Sequence, residues 1–250
     1  VNQTRFAERH PIWFSFLLIL LLFISGALAV VASQVTKLPP TTFTVYSEIF
    51  LVVVLVILIS AIRWWRGIGY RAASSARDLL LYAPALVLVI GNLIANIIVG
   101  ITVTTLPALL SILLLGLLSG FAEETIFRGL MLRAFLPRGA WTAVLASTAF
   151  FGFSHALNVL GGISSPLYVV VQIAYALAIG FCFAAIALKG GLVWPLAVCH
   201  GLGNFAAFLS SGKPGGNEVT SLMIIGSAIY IVFFTAVGIV VMRRGEKEEE

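Results

Sequence analysis

Eight long apolar runs constrain this chain more than any other feature of it. They cover residues 11–33, 46–63, 79–100, 106–127, 140–157, 166–188, 191–210 and 219–242. Each approaches the roughly 20 helical residues needed to cross a hydrocarbon core about 30 Å thick. A membrane barrel would alternate apolar and polar residues at period two, whereas these runs are apolar all round, so helices are expected. Backbone breakers fall between the runs, at Pro39-Pro40, Gly67 and Gly69, Pro107, Pro137, Gly161-Gly162, Gly190-Gly191 and Pro214 to Gly216. Only 10% of the 250 residues are charged, against about 25% in a soluble domain whose surface must be wetted. The expected fold is all-α: a polytopic membrane protein with eight transmembrane helices. With no polar linker and no internal repeat, residues 1–250 read as a single integral-membrane domain.

The formal charge of +5 does not point to nucleic acid, because no basic face with interleaved aromatics exists. The basic residues sit in short loops between the runs. With eight spans, one side receives Arg5, Arg9, Arg63, Arg66, Arg71, Arg77, Arg128, Arg133, Arg138, Lys189, Arg243, Arg244 and Lys247, and the other only Lys37 and Lys213. Such an asymmetry places the basic side, and both termini, in the cytoplasm. The first run could be a signal peptide cut near Ala27-Leu28-Ala29. Its length and its place in the charge pattern favour a retained helix. Glu246 to Glu250 read as a solvated tail. Cys182 and Cys199 lie inside apolar runs and support no disulfide framework.

Charged groups inside a membrane are costly, so each is a functional hypothesis. Most charges here lie in loops or at span ends. The exceptions are Glu123, Glu124 and Arg128 in the fourth run, His155 in the fifth, and His200 with Asn204 in the seventh. At about 100° per residue, Glu123 and Glu124 point in different directions. Glu124 and Arg128, four apart with the acid first, can pair along one helix face. Glu123 is then left for partners on other helices. Phe151 lies four before His155, and His200 four before Asn204. Gly116, Gly120, Gly152, Gly201 and Gly203 lie beside these residues and permit close backbone approach. Asn92 and Asn96, and Gln172 with Tyr175, read as helix–helix hydrogen-bond formers or, for the latter pair, as lining of a substrate path. A Glu with an assisting His can deprotonate a water for attack on a carbonyl. A second His and an Asn can donate to the oxyanion that develops. Ser154 adjoins His155 in sequence, but neighbours on a helix do not face each other, so it is not read as a nucleophile.

These residues carry a resemblance. Glu123-Glu124-Thr-Ile-Phe-Arg128-Gly129 resembles the EExxxR motif of the CAAX protease and bacteriocin-processing (CPBP, or Abi) family, which includes the CAAX prenyl endopeptidases. Phe151-Gly-Phe-Ser-His155 is similar to its FxxxH motif and His200-Gly-Leu-Gly-Asn204 to its HxxxN motif. The motifs occur in the family's order, and the motif-bearing core covers about residues 105–210. The resemblance implies a glutamic intramembrane endopeptidase in which Glu123 activates water with help from His155. His200 and Asn204 would stabilise the oxyanion, and Glu124 and Arg128 would support the site. It implies a peptide or membrane-protein substrate, in some members lipidated. The compact chain with short loops is more similar to prokaryotic members, hence a prokaryotic plasma membrane.

Zinc held by Glu123, His155 and His200 is the alternative to a cofactor-free site. Zinc sites commonly recruit close ligand pairs on one element, and no two of these three share a helix. Competing functions are a non-catalytic immunity or scaffold protein that retained the site, and a proton-coupled transporter. The latter lacks the repeat symmetry and paired broken helices of transporters. One geometric difficulty stands out. Counted from cytoplasmic ends near Arg133 and Arg138, Glu123 and His155 lie at roughly 15 Å and roughly 25 Å along their helices.

Overall fold

The computed structural model describes residues 6–36, 40–160, 165–210 and 219–244. Arg5, Lys37, Lys213, Lys247, the acidic tail, and the breakers at Pro39, Gly161-Gly162 and Pro214 to Gly216 lie outside them. Among the described residues the chain is helical and contains no strand. The principal helices are α1 (Pro11–Thr36), α2 (Pro40–Ile62), α3 (Leu86–Val99), α4 (Leu106–Glu124), α5 (Ala140–Ser154), α6 (Pro166–Gly190), α7 (Trp194–Phe208) and α8 (Ser221–Arg244). A 3-10 segment, Ala76–Ala85, leads into α3.

Among the described residues seven helical stretches are long and apolar enough to cross a membrane. The remaining expected span, 191–210, is the 15-residue helix α7, which at 1.5 Å per residue reaches only about 22 Å. The outward surface is apolar, as lipid contact requires: Trp13, Val35, Leu80 and Val232 are all about 70% exposed or more. Burial separates the helices into an outer set and a centre. α6 is 56% buried over its span window, while the other spans are 17–33% buried, so α6 is the hub on which α5 and α8 pack.

Two backbone features set the position of the polar residues. First, α4 does not end at Glu124. It runs on through a π-helical turn, Thr125–Met131, then Leu132–Phe135, then a 3-10 turn, Leu136–Arg138. The Phe127 carbonyl inside the π turn accepts the Ser147 hydroxyl at 2.8 Å. The Thr125 hydroxyl is hydrogen-bonded to that of Tyr70 at 2.7 Å. Tyr70 belongs to the connection between α2 and α3, and burial raises its phenol above the ordinary value. Second, the hairpin between α4 and α5 turns on Gly139, whose φ of +103° suits glycine. Glu123 and His155 are equidistant from Gly139 along the chain, and so are Phe127 and Phe151. The rings of that second pair meet at 5.2 Å. The depth difference expected from sequence therefore vanishes, because α4 continues to Arg138 rather than ending near Arg133.

Close packing brings in the third helix. A Cβ on Gly116 would stand 2.5 Å from the Gly201 carbonyl oxygen, and one on Gly120 would stand 2.5 Å from the Gly201 amide nitrogen. Only glycine lets α4 and α7 approach this closely, and theirs is the most extensive helix contact in the molecule. Asn92 joins α3 to α7 by donating to the Gly203 carbonyl (3.0 Å) and accepts the Tyr230 hydroxyl of α8 (2.9 Å). Asn96, in contrast, donates to the Asn92 carbonyl on its own helix.

Candidate active site

The π turn holds a fully enclosed cation. Arg128 is 2% exposed, donates to Glu124 Oε1 at 2.9 Å, and lies 4.0 Å from the centre of the Phe151 ring and 5.6 Å from that of Phe183. A buried guanidinium survives when a carboxylate and aromatic faces replace its water. The i, i+4 pair expected from sequence is present, and both side chains are sealed at 0% exposure.

Glu124 also does something the sequence did not disclose. The same Oε1 binds His200 Nδ1 at 2.7 Å across the α4–α7 contact. A carboxylate paired with Arg128 can only accept, so Nδ1 carries the proton in this bond. His200 Nε2 then faces Glu123, 3.7 Å from Oε2 and beyond hydrogen-bond range. Glu124 therefore fixes the orientation of His200, just as a carboxylate commonly orients an imidazole through its other nitrogen.

Glu123 is the open member of the carboxylate pair, with its side chain 24% exposed against 0% for Glu124. Ser119, one turn earlier on α4, donates to Glu123 Oε1 at 3.0 Å, and Asn204 Nδ2 reaches the Ser119 oxygen at 3.4 Å. Asn204 is thus connected to Glu123 through a hydroxyl. Ser119 was missed in the sequence reading, although its i, i+4 spacing to Glu123 was visible there.

His155 caps the end of α5, and its Nδ1 lies 3.0 Å from the Phe151 carbonyl oxygen. With Nδ1–H donating to that carbonyl, Nε2 keeps its lone pair. His155 lies within electrostatic reach of Glu123 and His200, yet among the described residues no hydrogen bond joins it to either. Phe151 lies beneath both rings, edge-on to His155 at 5.2 Å and to His200 at 6.0 Å. Ser154 points elsewhere: its hydroxyl donates to the Phe151 carbonyl. Further out, Asn158 donates to Gln172 on α6 at 3.1 Å, and Tyr175 packs its ring against Tyr230.

Among the described residues no three His, Cys, Asp or Glu side chains gather closely enough to hold a metal ion. His200 Nε2 lies 3.7 Å from Glu123 Oε2, and in both His155 and His200 it is Nδ1 that is held by a protein acceptor, which leaves Nε2 uncommitted.

The helices thus bring Glu123, Glu124, Arg128, His200 and Asn204 into one hydrogen-bonded or close-contact group, with the Phe151 ring between His155 and His200. Residues 104–206 match the family model described as Type II CAAX prenyl endopeptidase Rce1-like, so that segment of the chain is similar to this family. The matched segment contains all three motifs, so the resemblance to the CAAX protease family is borne out and supports a protease of the CAAX type acting within a membrane. No curated protein and no solved structure matches the chain significantly.

Proposed function

We propose that the protein is an intramembrane endopeptidase that cleaves a peptide bond with a water activated by Glu123 and His155, without a metal. The observation that carries this reading is the unequal treatment of two adjacent carboxylates. Glu124 is sealed and bound by Arg128 and His200, while Glu123 is open and held by a single serine hydroxyl. A general base needs a free lone pair where water and substrate can meet, and of the two carboxylates only Glu123 is accessible. His155, with Nδ1 fixed by a carbonyl, offers Nε2 to the same space. The base takes a proton as water adds to the carbonyl carbon, and returns it to the departing amine.

The developing oxyanion needs donors on the opposite side. Asn204 supplies an amide N–H₂ and His200 supplies Nε2, which donates when that ring is protonated. Glu124 and Arg128 hold His200 rather than touch substrate. The apolar surroundings strengthen each of these interactions. The plasma membrane of a prokaryote is the proposed location, and the substrate is a peptide or membrane protein, lipidated or not.

A cleavage assay on purified protein with a peptide library tests the reading. The wild type is expected to cleave, with or without chelator. Glu123→Gln is expected to lose at least about a thousandfold in kcat with the helical fold retained, as removal of an essential base does. Full activity in Glu123→Gln would sink the assignment, and loss of wild-type activity on chelation would sink the metal-free mechanism.

A further inference from the structure

The connection between α2 and α3 has no part in the mechanism above, yet residues 68–71 within it touch both helices that meet at Glu124 and His200. Toward α4, the Tyr70 ring packs on Phe121 at 5.3 Å between ring centres. The Tyr70 and Thr125 hydroxyls are hydrogen-bonded to each other at 2.7 Å. Ile68, 3% exposed, lies 3.3 Å from where a Cβ on Gly129 would stand. Phe121, Thr125 and Gly129 follow one another at four-residue steps along α4 and its π continuation. Toward α7, the Gly69 carbonyl accepts the Val193 N–H at 3.2 Å. The Arg71 carbonyl accepts the Trp194 indole N–H, also at 3.2 Å. Val193 and Trp194 open α7, and His200 lies less than two turns further along it.

The strap therefore fastens the two backbones that the Glu124–His200 bond joins. Its hold on α4 falls at a sensitive place. Thr125 directly follows Glu124 and is the first residue of the π turn, and its side chain is sealed at 0% exposure. A π turn is rare, and here the hydroxyl at its start is bonded from outside the helix rather than within it. Without the Tyr70 phenol, that hydroxyl is free to bond a carbonyl one turn back, an arrangement that bends helices. The bend would fall beside Glu124, whose Oε1 must meet His200 Nδ1 at 2.7 Å.

We infer that Tyr70 is a positioning residue of the reaction: through Thr125 it fixes the start of the π turn and so holds Glu124 against His200. The inference rests on the endopeptidase reading above and extends it to a residue outside the membrane spans and outside the three motifs. Tyr70 touches neither water nor substrate. It acts by keeping His200 Nδ1 on Glu124, which leaves Nε2 toward Glu123.

The test compares wild type with Tyr70→Phe, Thr125→Val, the double variant and Thr125→Ser. Tyr70→Phe keeps the ring that packs on Trp65 and Phe121 and loses only the hydroxyl. Peptide cleavage is measured beside proton NMR of histidine-labelled protein in micelles, with the His200 Nδ1–H signal assigned by its loss in His200→Gln. Tyr70→Phe is expected to lower kcat about fivefold at unchanged KM, the scale of one hydrogen bond, and to speed exchange of the His200 Nδ1–H with water. Thr125→Val should do the same, the double variant should be no worse than either single one, and Thr125→Ser should stay near wild type. Wild-type kcat and exchange in Tyr70→Phe overturn the inference, as do additive effects in the double variant. A lowered thermal midpoint with kcat and the Nδ1–H signal unchanged overturns it too, since Tyr70 would then only stabilise the fold. The NMR measurement needs no cleavage, which separates this inference from the reading beneath it. Faster Nδ1–H exchange in Tyr70→Phe, in a protein that cleaves nothing, keeps the hold on His200 and removes the protease. Glu123-dependent cleavage that is indifferent to Tyr70→Phe does the reverse.

Discussion

Glu123 and Glu124 differ by one position in sequence and by almost everything in environment. The reason is angular: a step of about 100° turns one carboxylate toward Arg128 and the other toward the space between helices. That much was legible, since both the i, i+4 pair and the separation of the two acids follow from one helix. The bond from Glu124 to His200 was not legible, because it joins residues on helices whose mutual rotation no local spacing fixes. The pair's sealed position gives a prediction. Arg128→Ala leaves Glu124 buried with only His200 opposite it, and removing one partner of a buried ion pair costs about 3–5 kcal/mol. Denaturant titration in detergent micelles should show that loss, and an unchanged midpoint would mean the pair is not structural. Ser119 makes a lighter contribution. Ser119→Ala removes one hydrogen bond to Glu123, worth about 1 kcal/mol, so kcat is expected to fall about fivefold with at most a small drop in thermal midpoint. A kcat equal to wild type would remove Ser119 from the site.

At the scale of elements, the π turn and the glycine contacts do the positioning. π turns inside α-helices mark functional sites because the widened backbone re-aims side chains, and here the turn coincides with the segment that carries Arg128. Sequence spacing alone ended the fourth span too early and so misplaced Glu123 in depth. The hairpin about Gly139, not any property of the two runs, makes Glu123 and His155 level. The glycines of α4 were read correctly as points of close approach, and their partner is Gly201. Gly120→Ala would force a methyl against the α7 backbone and is expected to cost about 1–3 kcal/mol, as overpacking does. It should also lower activity by displacing His200 from Glu124. Gly26, with nothing within 4 Å of its would-be Cβ, is the control: Gly26→Ala should leave both stability and turnover near wild type. Similar effects from the two substitutions, measured by thermal unfolding and cleavage together, would refute the close-packing account.

For the whole molecule, the basic residues predict a direction that helix geometry alone does not give. Reporter fusions after Gly139 and within the 63–75 connection should register on the cytoplasmic side, and a fusion in the 100–105 connection on the opposite side. All three on one side would overturn the orientation. Hydropathy by itself determined that this chain is helical, that it lives in lipid, and roughly where seven of its spans lie, because the cost of exposing backbone to hydrocarbon leaves so few alternatives. The motif residues by themselves identified which polar groups lipid would not tolerate without purpose. Tertiary structure decided the rest. It shortened the stretch around His200 to a 15-residue helix held against α4, and linked Asn204 to Glu123 through Ser119. These are contacts between helices, set by rotation and relative height. An apolar run fixes neither, since every face of it suits lipid equally well.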